Sequence, residues 1–245
     1  MGFYVYAVGR SGEGEAPRLT GVFDQPAYRL DVGSLCAVVS ECPVATLRPE
    51  RRHIAATQRV LAAVSAGCDV LPMAFGTITK SKGDVRRFLE DHRETLDAQL
   101  RRVSGAIEMS LRLSLEAPDP IAYLVERTPA LRAARERAFH GPRPPSHDAK
   151  IRLGQMFDDA LSQYRDSHTA QVVAVVGESC AEVVALPVRD EREIVNLAAL
   201  VPRSGLDAFE AAVRLSATEI EEDIAFSLGG PWPPYNFVQF DPGDR

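Results

Sequence analysis

The chain has little of several things, and each shortage removes a class of function. Positive charge is short: 28 Lys and Arg stand against 34 Asp and Glu, a net charge of −6. A protein that grips nucleic acid through phosphate contacts needs the opposite balance. Lysine is confined to Lys80, Lys82 and Lys150, so arginine carries the basic charge and points to no particular function. No apolar run approaches the ~20 residues of a membrane span, so neither a transmembrane helix nor a lipid-membrane partner is expected. Only four cysteines occur, Cys36, Cys42, Cys68 and Cys180. None has Cys-x-x-Cys spacing, which removes zinc-ribbon and thioredoxin chemistry. The five histidines are scattered, so no metal set assembles from sequence. The run Met1-Gly2-Phe3-Tyr4-Val5-Tyr6 has no basic segment before its apolar stretch and reads as a first strand, not a secretory leader. Tyr6 stands where a myristoylation signal needs Ser or Thr. The cysteines are accordingly expected to be reduced, in a cytosolic protein. No Ser/His/Asp, Cys/His or paired-carboxylate arrangement has recognisable spacing, so no enzyme is expected. The Gly-rich stretch Gly9–Gly14 lacks the phosphate-loop pattern.

What the chain does have is concentrated near its end. Gly229–Val238 holds three of 17 prolines (Pro231, Pro233 and Pro234), the only tryptophan (Trp232), and Tyr235, Asn236 and Phe237. Proline fixes φ and drives the preceding residue to extended geometry. The segment 229–240 is therefore expected to be a stiff strap pinned to its own domain or to a partner. Trp232 and Tyr235 are the residue types that dominate interfaces; as a closure, the strap's rings would instead fill a groove of the second domain.

From the start, Phe3–Val8 reads as a strand, 10–33 as a loop, and Leu35–Ser40 as a second strand. Ile54, Thr57, Leu61 and Val64 recur at helical spacing. Asp69–Ile78 reads as a strand, and Pro72 within it demands an edge or a bulge. Here Pro72, Phe75, Gly76 and Thr77 form either a buried strand ending in a glycine turn or an edge open to a partner strand. A helix from about Asp84 to Val103 places His92 on its apolar face, as a core histidine. Ile107, Met109, Leu111, Leu113 and Leu115 then alternate with Glu108, Ser110, Arg112 and Ser114, a strand with one wet face. Two helices on four strands predict an α+β, ferredoxin-like sandwich over 1–117.

The Pro118-Asp119-Pro120 run predicts a boundary, with Asp119 as cap and Pro120 as first helical residue. Over 118–245 a second, α-rich α+β domain is expected. It has helices at 119–139 and 147–178 and a small antiparallel sheet near 182–188, 193–201 and 222–228. A capping box at Ser204 and Asp207 should open its last helix. This half reads as a ferredoxin-like unit without its first strand. Acidic residues at 219 and 221–223 read as a solvated turn.

Three stretches carry a resemblance: Phe3–Val8; Val70-Leu71-Pro72-Met73-Ala74-Phe75-Gly76-Thr77; and Asn196–Val201 followed, a helix later, by Gly230-Pro231-Trp232-Pro233-Pro234-Tyr235-Asn236-Phe237. Together, in this order and over nearly the whole chain, the sequence resembles the gas vesicle protein F/L family. Ala74 stands where the family commonly has a basic residue, and Met109 where it often has tryptophan. The resemblance implies an accessory protein of gas vesicle formation, located in the cytoplasm and at the gas vesicle. Its implied partners are the small apolar shell protein and other gas vesicle accessory proteins. It implies no catalytic activity, cofactor or metal. The residues alone leave open a small-molecule-binding regulatory module on the same scaffold.

Overall fold

The computed structural model describes residues 2–12, 19–140, 144–220 and 223–239. The chain is α+β, with two sheets and helices α1 to α7. It forms two compact units. One comprises residues up to Glu108 together with those from Gly230 onward; the other is Met109–Gly229. The division thus falls at Glu108 and Gly230, not at Pro118.

In the first unit the strands are β1 (Gly2–Arg10), β2 (Leu19–Thr20), β3 (Pro26–Val32), β4 (Leu35–Cys42), β5 (Val70–Pro72) and β6 (Ile78–Thr79). Their order is β2-β3-β4-β1-β5, with β6 also on β1. Strands β4 and β5 both run antiparallel to β1, so they are parallel to each other. The helix α1 (Arg51–Ser65) makes the crossover that a parallel pair requires. The loop expected at 10–33 is corrected: Pro26–Val32 is a strand paired with β4. Tyr28, Leu30 and Val32 alternate there with Arg29 and Asp31, a short period that the Gly, Glu and Pro content of the surrounding segment masks.

A bulge between Val5 and Ala7 interrupts the β1–β4 register. The fully buried Tyr6 beside it accepts a hydrogen bond from the Val22 amide at 2.8 Å and shares one with Ser40 Oγ at 2.8 Å. One face of α1 (Ala56, Val60, Leu61 and Val64) joins Tyr4, Tyr6, Val38 and Val70 in the core. The expected single helix 84–103 is two, α2 (Lys82–Asp91) and α3 (Arg93–Arg102). His92 is their hinge, at φ −107° and ψ 15°, and is half-buried rather than a core residue.

The second sheet has the order β10-β7-β9-β8, from β7 (Ala106–Leu115), β8 (Glu182–Ala185), β9 (Glu193–Pro202) and β10 (Ile224–Trp232). Strand β7 is therefore not the fourth strand of the first sheet. It is the first strand that the second half seemed to lack. With α4 (Pro120–Arg127), α5 (Pro129–Phe139), α6 (His147–Val176) and α7 (Leu206–Glu219), it completes a β-α-β-β-α-β succession. Asp119 caps α4 by accepting from the Ala122 amide at 2.9 Å, and Pro120 sits in its first turn. The expected capping box is corrected: α7 starts at Leu206 after a short 3₁₀ turn and has no side-chain cap. Residues 221 and 222 of the acidic cluster lie outside the described residues.

Candidate interaction groove on the first unit

The strap belongs to the first unit, not to the second as a closure. Its first half is not a separate element: Gly230-Pro231-Trp232 extends β10, and Tyr235–Phe237 form a 3₁₀ turn. Phe237 is fully buried and Pro234 is buried, and these two anchor the segment. Trp232 and Tyr235 keep 46% and 44% of their surface exposed. The strap is thus pinned by one set of residues and presents another.

The Pro72–Thr77 stretch is both an edge and a bulge. Strands β5 and β6 lie on the same side of β1, and the chain bows out between them. The Met73 amide donates to Tyr6 O at 2.9 Å and the Val5 amide to Thr77 O at 2.9 Å, closing the two sides of the bow. Within it, Gly76 takes φ +87°, a conformation costly for any residue with a Cβ. The Thr77 hydroxyl donates to Ala74 O at 2.7 Å. The bow lifts Phe75 off the sheet, leaving it 36% exposed, while Pro72 is buried.

Phe75, Trp232, Pro233 and Tyr235 meet around one groove of about 550 Å³, with Ile54 and Leu61 of α1 also lining it. Pro72, Gly76, Thr77, Pro231, Pro234 and Phe237 do not line it; they shape or anchor the elements that do. Behind Thr57, which lines the groove, Tyr4 accepts from the Gly76 amide at 3.2 Å and from the Thr57 hydroxyl at 3.2 Å. That links the bow, α1 and β1 in one hydroxyl cluster.

Two residues that sequence reasoning passed over hold the groove together. Glu108 belongs to the face of β7 expected to be wet, yet it is only 5% exposed. Its carboxylate accepts from the Asn236 amide at 2.8 Å and from Asn236 Nδ2 at 2.6 Å. Burial pushes the Glu108 carboxyl up, and the two Asn236 donors offset part of that rise. Burial, reinforced by Tyr4 and Glu108 nearby, pushes the Tyr235 hydroxyl up to about 12. No signal in β7 marks Glu108, because what covers it arrives from more than a hundred residues away.

The groove is apolar, with exposed rings on its rim and the Glu108–Asn236 hydrogen bonds beside it. Among the described residues, no group of His, Cys, Asp and Glu could hold a metal ion, and no helix is long and apolar enough to cross a membrane. The chain belongs to the gas vesicle synthesis protein GvpL/GvpF family, whose pattern it matches over residues 2–239. It is 32% identical to gas vesicle protein F of a Streptomyces species over 98% of this chain and all of that one. It is 26% identical to gas vesicle protein L1 of Halobacterium salinarum, over 97% of this chain and 90% of that one. The crystal structure of GvpF from an Anabaena species superposes with a TM-score of 0.81 at 21% identity, covering 98% and 97% of the two chains. The protein is therefore an accessory protein of gas vesicle formation, of a family named for gas vesicle synthesis and not for a reaction.

Proposed function

We propose that the protein serves gas vesicle formation by contact and without catalysis, in the cytoplasm and at the vesicle. Its groove receives an apolar segment of the gas vesicle shell protein, and other accessory proteins join the same assembly. The observation that carries this is the gathering of Phe75, Trp232 and Tyr235, all partly exposed, around one apolar groove. Exposed rings grouped on a shaped apolar surface are the usual mark of a binding patch. The residues predicted for interaction fall into two roles. Phe75, Trp232, Pro233 and Tyr235 make the contact; Pro72, Gly76, Thr77, Pro231, Pro234 and Phe237 hold them in place.

Co-purification of the tagged protein with the shell protein tests this reading. Capture by the wild type, reduced in Phe75→Ala and Trp232→Ala, is expected; no capture with or without detergent contradicts it. A second reading has support in the groove itself, whose volume lies in the ~300–1,000 Å³ range of small-molecule sites. A ligand-dependent rise in melting temperature across a metabolite screen, without shell-protein capture, would favour that module instead.

A further inference from the structure

The groove's polar floor says something about its occupant. Glu108 is buried and lines the groove, yet the groups that offset its burial are the two neutral donors of Asn236. Among the described residues, the groups that act on it are these donors and no cation. A carboxylate taken out of water normally finds a counter-charge, because burial without one is costly. Each carboxylate oxygen can accept more than one hydrogen bond, so both keep acceptor capacity after binding Asn236.

The rest of the lining is apolar or uncharged, so the groove carries one buried negative charge within an apolar wall. From this charge complementarity we infer that the occupant is an apolar peptide segment bearing a single lysine or arginine, whose cation comes to Glu108 while its apolar side chains pack on Phe75, Trp232 and Ile54. This deepens the proposed function and rests on its reading of the groove as a protein-binding site. Asn236 holds the carboxylate in place by two neutral hydrogen bonds, which a cation would supplement. A cation arriving at Glu108 would offset the cost of its burial with a charge-assisted hydrogen bond.

Trp232 is the only tryptophan and lies on the rim, so its emission reports occupancy. The test uses two aromatic-free helical peptides of Leu, Ala and Gln that differ at one central position, Lys in one and Gln in the other. Each is titrated into the full-length protein while Trp232 emission is followed. The Lys peptide should bind the wild type about tenfold more tightly than its Gln twin, as expected for a hydrogen bond to a charged group. In Glu108→Gln that preference should vanish, while Phe75→Ala should weaken both peptides alike. The wild-type comparison stands even if the Glu108 variant fails to fold. Equal affinity of the two peptides for the wild type, or a preference that survives Glu108→Gln, overturns the inference. Shell-protein capture alongside equal peptide affinities would leave the proposed function standing and remove only the cation.

Discussion

Removing the Asn236 side chain should loosen the strap and do so in a pH-dependent way. Asn236→Ala deletes the Nδ2 donor at 2.6 Å from Glu108 and leaves the backbone amide at 2.8 Å. One oxygen of a carboxylate that is 5% exposed then has no partner. A hydrogen bond to a charged group contributes about 1.5–3 kcal/mol, and a buried charged acceptor left unmatched belongs at the upper end of that range. The folded-state pKa of Glu108 already lies above its ordinary 4.5, so the folded protein holds this proton more tightly than the unfolded chain. Stability from this group is therefore greatest at acid pH and falls as pH rises through the window above 4.5. The substitution raises the folded-state pKa further. Its cost should accordingly be smaller at about pH 5 than at about pH 8, where it should reach about 2–3 kcal/mol, by linkage. Urea melts followed by Trp232 emission at the two pH values read this directly. Glu108→Gln is the companion: Gln can accept from the Asn236 amide and, with the Asn236 side-chain amide turned over, donate to it. It should cost less than about 1 kcal/mol at about pH 8 and abolish the pH dependence. A cost in Asn236→Ala that is absent, or equal at both pH values, would refute this account of the latch.

Other substitutions test the elements around the groove. A Cβ at Gly21 would run into the hydroxyl of the buried Tyr6, so Gly21→Ala should cost about 1–3 kcal/mol in a denaturant melt. Tyr6→Phe leaves the Val22 amide and Ser40 without their partner and should cost about 1–3 kcal/mol by the same measurement. The Tyr235 pKa is raised from 10.0 to about 12, so the folded protein should lose stability as pH rises across that interval, and Tyr235→Phe should remove the loss in alkaline melts. In the second unit, Asp119→Ala removes the α4 cap and should cost about 1 kcal/mol by thermal melt.

Local chemistry made several elements legible. Pro120 and Asp119 announced the start of α4, the alternation from Ile107 to Leu115 announced β7, and the prolines and rings of 229–238 announced a rigid, anchored segment. Partnership was less legible. β7 alternates the same way whichever sheet it joins, so its place in the second sheet could not be read from its own residues. The strap's composition showed that it must be pinned, but its route along β10 to the first unit depends on strand pairing over a long separation. Glu108 shows the limit most clearly. Period-two alternation marks it as solvent-facing, and only the returning Asn236 and its neighbours bury it. His92 failed for a different reason: helical spacing continues through it, while its backbone leaves the helical region at φ −107° and ψ 15°, ending α2 and starting α3. The family resemblance did include the Val70–Thr77 stretch and the strap, whose rings line the groove, whereas beside Glu108 it marked only a departure at Met109.

The most direct test of the contact account places a photo-crosslinking residue at position 232, on the groove rim, and at position 215, on the exposed face of α7, in cells forming gas vesicles. Irradiation should join position 232, but not position 215, to the shell protein. An adduct of equal yield at both positions, or none at 232, would contradict the claim that the groove is where this protein meets the vesicle.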